Sequence, residues 1–555
     1  MSYIEHKSFL FISICFIGAF ISCSKNEVFV QEEVKEYEIT EPGILTDNVT
    51  LGRKLVNPYS VSVMKKACDA LFPPTRGEAP ASDSLIEPNY LYVRFLPEDS
   101  TDISVLTDSG LELYNYPLDY EILGDPEDYY DSSLPEGRIT WQYTAVPIED
   151  DIPDVEHQIL DVCYIPNSSD STYNPTMERI EDRAIVIADN GDCGSGGTSP
   201  PSSGGNTLNG RVRVKDTVFG YEGIKGIKVR ARFFLKIRTD YTDEEGNYSI
   251  CNDFRLQPRF ELRFENKYGF KSGYGIGSLV LPSTMNMKYH KNIDIDKDSG
   301  HKWWVLATIN NAGYDWFRYC ELNNITKPAG DLRIWALTAF SGASTIMLHH
   351  GLFNHTVLGN IITFISWGLS LENPLAAAAD LFLKNLVKWI GPDITVCDVE
   401  SMQDSYQIYE YVCHELAHAT HFQSVGSNDW DRCEWWIDVF DYELMHLSSP
   451  TYGEADSPLN GPCGVTEMWA YAMGYYMRNL KYFRNGNSYN GTIGLFWFKP
   501  EFLWDLLTDN VVSSTNASKC LKYNVLDIDS FIDELIKLYP DKKTEIEDAY
   551  NDENN

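Results

Sequence analysis

The sequence predicts a multidomain chain with an α+β N-terminal domain, an all-β sandwich, and a mostly helical α+β C-terminal domain. Three observations predict it. The chain has 555 residues, more than one core organises at roughly 100–200 residues per domain. Residues 191–207 read GDCGSGGTSPPSSGGNT, offer almost nothing apolar to bury, and behave as a linker. Apolar residues alternate along much of 208–250, whereas helical spacing dominates from about residue 299. Hydrophobic residues at 43% and aromatics at 13% are enough for several cores and exclude wholesale disorder. With 45 basic and 81 acidic residues the net charge is −36. A chain this acidic, with no basic run, excludes nucleic acid as the expected partner.

The elements follow in order. In 38–190, residues 57–72 carry Val61, Met64, Ala67, Cys68 and Leu71 at helical spacing. Residues 90–96, 111–116 and 120–123 alternate and predict strands. This is an α+β unit with no role legible in its residues. After the linker, 210–214 and 227–232 alternate cleanly. Gly246 and Asn247 suit the turn that feeds a strand ending at Ile250. The unit spans 208–297, and the C-terminal one 298–555. In the latter, 357–371 is 15 residues long and contains Asn360, so it predicts a buried helix rather than a membrane span. Residues 375–388 are strong helix formers, Gly391-Pro392 ends them, and 393–396 predicts a short strand.

The N-terminus predicts an address. Lys7 precedes an apolar run from Phe9 to Ile21, which is shorter than the roughly 20 residues of a spanning helix. A signal peptide over 1–22 and a mostly polar, acidic tether over 23–37 are expected, with Val28-Phe29-Val30 the apolar exception. Twelve cysteines include Cys15 and Cys23; the other ten contain no CxxC, so neither a zinc knuckle nor a redox pair is indicated. Cys433 and Cys463 bracket one loop and are a candidate pair, with free buried thiols the default.

The chemistry concentrates in His414-Glu415-Leu416-Ala417-His418, an HExxH sequence. Ser401 and Asp404 have the spacing of a capping box, and Gly426 is a terminator. Between them Ile408, Tyr411, Val412, Leu416, Ala419 and Phe422 recur at helical spacing. Two imidazoles at i and i+4 lie one turn apart on one face and can share an ion. Glu415 is rotated off that axis and suits a general base that is not a ligand. His421 falls on nearly the same face, as a packing residue or a support for the ligands. A third ligand must come from elsewhere. Glu467, 49 residues after His418 near the start of a helix over 466–477, is the leading candidate. Glu434, Glu443, Glu454 and Asp456 compete with it. Tyr471, Tyr475 and His446 are candidate oxyanion donors that the sequence does not rank.

Three resemblances add to this reading. Ile21-Ser22-Cys23 resembles the lipobox of bacterial lipoproteins, and Gln31-Glu32-Glu33 resembles export signals of Bacteroidetes lipoproteins. They imply lipidation at Cys23, a membrane anchor through that lipid, and the bacterial cell envelope, periplasmic or surface-exposed; an ordinary signal peptide is the alternative. The order GRV, GIKGIKVRAR, TDEEGNYSI over about 90 residues resembles the carboxypeptidase regulatory-like β-sandwich, which implies a structural module. HELAHATHF with a downstream glutamate resembles the gluzincin branch of the zincin metallopeptidases. The metzincin branch fails, because the residue ten after His414 is Ser424. The gluzincin resemblance implies Zn²⁺ on His414, His418 and Glu467, a protein or peptide substrate, and an edge strand for that substrate, for which 393–396 is the candidate. The chain departs from some gluzincins at Tyr471, where an acid would orient a histidine. A non-catalytic surface lipoprotein that binds a host polymer or glycan, and a zinc amidase on the same scaffold, are the rival readings.

Overall fold

The computed structural model describes residues 50–73, 79–123, 129–135, 138–166, 175–189, 207–251, 254, 256–274, 282–337, 343–345, 347, 350, 393–426, 432, 435–436, 439, 460–483 and 496–551. Cys23, Cys433, His446, the helices expected at 357–371 and 375–388, and the competing ligands Glu434, Glu443, Glu454 and Asp456 lie outside them. Among the described residues the chain is mixed α/β, with several sheets and eleven α-helices. No described helix is long and apolar enough to cross a membrane.

The first part contains β1 (Thr50–Lys54), α1 (Val61–Leu71), α2 (Ser82–Leu85), β2 (Tyr90–Phe95), α3 (Ser100–Asp108), β3 (Tyr120–Leu123), β4 (Gln142–Pro147), β5 (His157–Cys163) and α4 (Pro175–Asp189). Helix α1 starts later than its periodicity predicts. Asn57 Oδ1 accepts the Tyr59 amide at 3.0 Å and the Asn57 carbonyl accepts the Ser60 amide, which hold 57–60 in a turn. Its apolar face, Val63, Met64, Ala67 and Cys68, packs on Met177, Ile180 and Ala184 of α4. The strand expected at 111–116 is corrected. That segment is irregular, and Tyr114 makes only an isolated bridge to Tyr143. The Leu113 carbonyl instead accepts hydrogen bonds from Arg230 and Arg263, so guanidinium groups take the place of a neighbouring strand.

The second part holds β6 (Thr207–Asp216), β7 (Gly220–Gly223), β8 (Ile227–Phe233), β9 (Lys236–Tyr241), β10 (Asn247–Cys251), β11 (Arg259–Asn266), β12 (Lys271–Tyr274), β13 (Thr284–Lys288) and β14 (Asn292–Ile295). Beyond it lie α5 (Lys297–Asn323), β15 (Arg333–Ala336), β16 (Ala343–Thr345), β17 (Ile394–Val396), α6 (Ser405–Ser424), α7 (Asn460–Tyr482), α8 (Pro500–Thr508), α9 (Ser514–Ser518), α10 (Ile528–Leu538) and α11 (Lys543–Asn551). A four-stranded sheet has the order β10-β6-β14, with β7 also on β6. An eight-stranded sheet runs β16-β17-β15-β12-β11-β8-β9, with β13 on β11. This sheet crosses the expected boundary at residue 298, because β12 pairs in parallel with β15. One apolar core follows the same path, from Val212 and Leu262 through Trp304 and Trp316 to Leu416 and Trp469.

The first part joins the sheet through buried charge. The β8–β9 hairpin turns at Phe234, whose φ of 48° is left-handed, and delivers Leu235 among Tyr59, Tyr92 and Tyr116. Arg230 stacks on the Tyr114 ring at 4.2 Å and pairs with Glu261 at 2.8 Å. Burial raises the Glu261 pKa, but Arg230 and Arg232 outweigh it and hold the carboxyl below its ordinary value.

Strand β17 forms where the sequence predicts, but its role as the substrate edge is corrected. It lies between β15 and β16, so among the described residues β16 forms that edge of the sheet. Beyond β16, His350 is clamped between Asp393 (3.0 Å) and Asp331 (2.7 Å). Burial lowers the His350 pKa, but the hydrogen bonds to Asp331 and Asp393 overcome it and raise it to about 10. A histidine whose folded pKa is raised adds stability that is complete below its unfolded pKa of about 6.5 and fades as pH climbs through the folded value. The stability advantage of the natural chain over His350→Gln should therefore be full at pH 6 and almost gone at pH 10. Parallel thermal melts of both proteins at the two pH values check this.

Candidate metal centre

The HExxH residues lie within α6. The helix begins at Ser405 rather than at the predicted box, because Ser401 turns back to Asp398, its Oγ 2.6 Å from the carboxylate. Asp404 occupies the N-cap position without a side-chain bond, and the Ser405 amide donates instead to Thr217 Oγ1 at 3.0 Å. The cap is thus tertiary, from the turn between β6 and β7, and no local pattern encodes it. The far face of α6 is fixed by two indoles. Trp316 of α5 donates to Thr420 Oγ1 at 3.1 Å, and Trp469 of α7 donates to the Ala417 carbonyl at 3.1 Å.

Helix α7 runs antiparallel to α6, since Thr466 meets His421, Glu467 meets His418, Gly474 meets His414, and Arg478 meets Glu410. At Gly474 a Cβ would lie 3.1 Å from His414 Cβ, so the glycine lets the helices approach closely where the first histidine sits. The helix starts at Asn460, which puts Glu467 in its second turn rather than near its start.

This approach brings three predicted residues together: His414, His418 and Glu467. The two Nε2 atoms are 3.0 Å apart. Glu467 Oε2 lies 3.7 Å from His414 Nε2, and Oε1 lies 3.5 Å from His418 Nε2. His418 and Glu467 are buried and His414 is slightly exposed. Burial pushes the His414 pKa down to about 3. Burial, then His414, then His421 push that of His418 well below its ordinary value. Both rings stay neutral, with a lone pair free for a metal.

The donor set fits zinc. Donors about 2.0–2.2 Å from a tetrahedral ion sit about 3.3 Å from one another, and the observed spacings of 3.0, 3.5 and 3.7 Å bracket that value. Two neutral imidazole nitrogens and a buried carboxylate within reach of one another are also the donor types that a divalent ion such as zinc takes.

The remaining predicted residues distribute around the cluster. Glu415 is buried beside it, with Oε1 4.0 Å from His414 Nε2. Tyr471 sets its ring edge-on to His414, centroids 4.5 Å apart, and continues into Phe496 and Phe498. Tyr475 faces the Arg478 guanidinium at 4.4 Å. His421 stands apart from the three, with Nδ1 3.3 Å from Thr466 Oγ1 and its ring 4.5 Å from that of Trp435. His418 Nδ1 is buried without a hydrogen-bond partner among the described residues. Two contributors escaped the sequence reading. Trp436 flanks His418 at 6.1 Å, and Thr345 of β16 reaches Glu415. Gly474, an isolated glycine inside a helical pattern, was the one legible signal of close approach; nothing local marks Thr345.

No protein-family model matches this chain, and no curated protein matches it. The chemistry of the site therefore rests on its own residues.

Proposed function

We propose that the chain is a zinc-dependent metallopeptidase, anchored to the cell envelope through Cys23. The observation that carries this is the convergence of His414, His418 and Glu467, with Glu415 buried beside them. His414 Nε2, His418 Nε2 and the Glu467 carboxylate would hold Zn²⁺. When bound, the ion brings the pKa of a water toward neutrality and polarises a substrate carbonyl.

The residues of the chain do the rest. Glu415 presents Oε1 on the side of the histidine pair. It takes one proton from the attacking water as the water oxygen bonds to the carbonyl carbon. It returns that proton to the amine nitrogen as the C–N bond breaks. Neutral His414 and His418 keep their lone pairs on the cluster, and the Tyr471 ring against His414 fixes that imidazole. Of the expected oxyanion donors among the described residues, Tyr471 packs its ring against a cluster residue, His414.

The test is cleavage of a quenched fluorescent peptide library by the purified chain. Hydrolysis that a chelator stops and added zinc restores supports the reading. Absence of cleavage across the library in zinc-replete protein contradicts it.

A further inference from the structure

Thr345 lies on β16, 70 residues before Glu415. Its hydroxyl is 2.7 Å from Glu415 Oε2 and 2.8 Å from the Glu415 carbonyl oxygen. One hydroxyl hydrogen cannot serve both acceptors fully. Glu415 is in the interior of α6, where its carbonyl also accepts the helical amide four residues on. The side-chain carboxyl oxygen is the nearer acceptor at 2.7 Å, and unlike the carbonyl it does not already hold a helical amide. The hydrogen therefore goes to Oε2. That leaves Oε1 as the oxygen turned to the histidine pair, 4.0 Å from His414 Nε2.

The donor stands on a fixed support. Thr345 is buried and pairs with Ile394 across β16 and β17. Two residues on, the Met347 amide donates to the Asp393 carbonyl at 3.0 Å, and the His350 clamp follows. A glutamate side chain has three rotatable bonds, so a carboxylate tethered at one oxygen loses most of its freedom to leave the reactive orientation.

We propose that Thr345 is a positioning residue, holding the Glu415 carboxylate by one oxygen so that the other faces the metal centre. This rests on Glu415 acting as the general base. The experiment compares the natural chain with Thr345→Val, which keeps the shape and removes the hydroxyl, and with Thr345→Ser, which keeps the hydroxyl. Steady-state kinetics on one cleaved peptide, zinc content and a crystal structure of the zinc-loaded Val variant are measured together. The expected result is a kcat lowered about 10- to 100-fold in Thr345→Val, with KM and zinc content unchanged. Thr345→Ser should recover kcat to within about threefold, and the Glu415 carboxylate should be rotated in the Val crystal structure. An unchanged kcat and carboxylate in Thr345→Val overturns the proposal. So does a Ser variant as impaired as the Val variant, or a Val variant that loses its zinc, because each assigns the threonine to packing alone. If the natural chain cleaves peptides and Glu415→Gln cleaves them equally well, the general-base reading fails instead and removes this assignment with it.

Discussion

Replacing Glu415 by glutamine should lower kcat for peptide hydrolysis by roughly 10²- to 10⁴-fold, the usual share of a positioned general base. Zinc content should not change. The amide fills the same volume and still accepts a hydrogen bond from Thr345, so α6 and the ligands have no reason to move. The amide cannot take a proton from water at neutral pH, and that is the whole of the loss. The check is paired measurement of turnover and bound zinc in the purified variant. A variant with natural activity, or one that loses zinc together with activity, contradicts the assigned role.

The second large effect lies between α4 and β9. Lys236 of β9 pairs with Glu181 of α4 at 3.2 Å, and both side chains are 0% exposed. Tyr59 donates to the same Glu181 oxygen at 2.8 Å. Removing one member of a buried ion pair costs about 3–5 kcal/mol, a large share of the roughly 5–15 kcal/mol that holds a native protein together. Lys236→Met should lose that amount in equilibrium urea unfolding. Adding Glu181→Gln, which removes the other charge of the pair and keeps an acceptor for Tyr59, should recover most of it. A single variant as stable as the natural chain would mean that the junction between residues 50–189 and the sheet is not held by this pair.

The sequence carried those parts of the fold that are periodic within one segment. The apolar spacing of α1 and α6, the alternation in β2, β6 and β8, and the turn before β10 are all local patterns. The predicted strand at 111–116 failed because its carbonyl is satisfied by guanidinium groups more than 100 residues away. The predicted capping box failed for the same reason, since Thr217 caps α6 across the fold. At the site, the spacing of His414 and His418 shows directly because one helix presents both. Glu467 was reachable only as one acid among several, since its partnership depends on how α7 packs. Thr345 was invisible, because a threonine in a short strand carries no mark of what its hydroxyl meets.

The most direct test of the account is the zinc content of the purified full chain, measured by inductively coupled plasma mass spectrometry after dialysis against a weak chelator. Three converging donors in this arrangement predict about one zinc per chain, and little or none in the Glu467→Ala variant. A natural chain that retains no metal would contradict the account. It would return His414 and His418 to the role of neutral helix residues beside a buried acid.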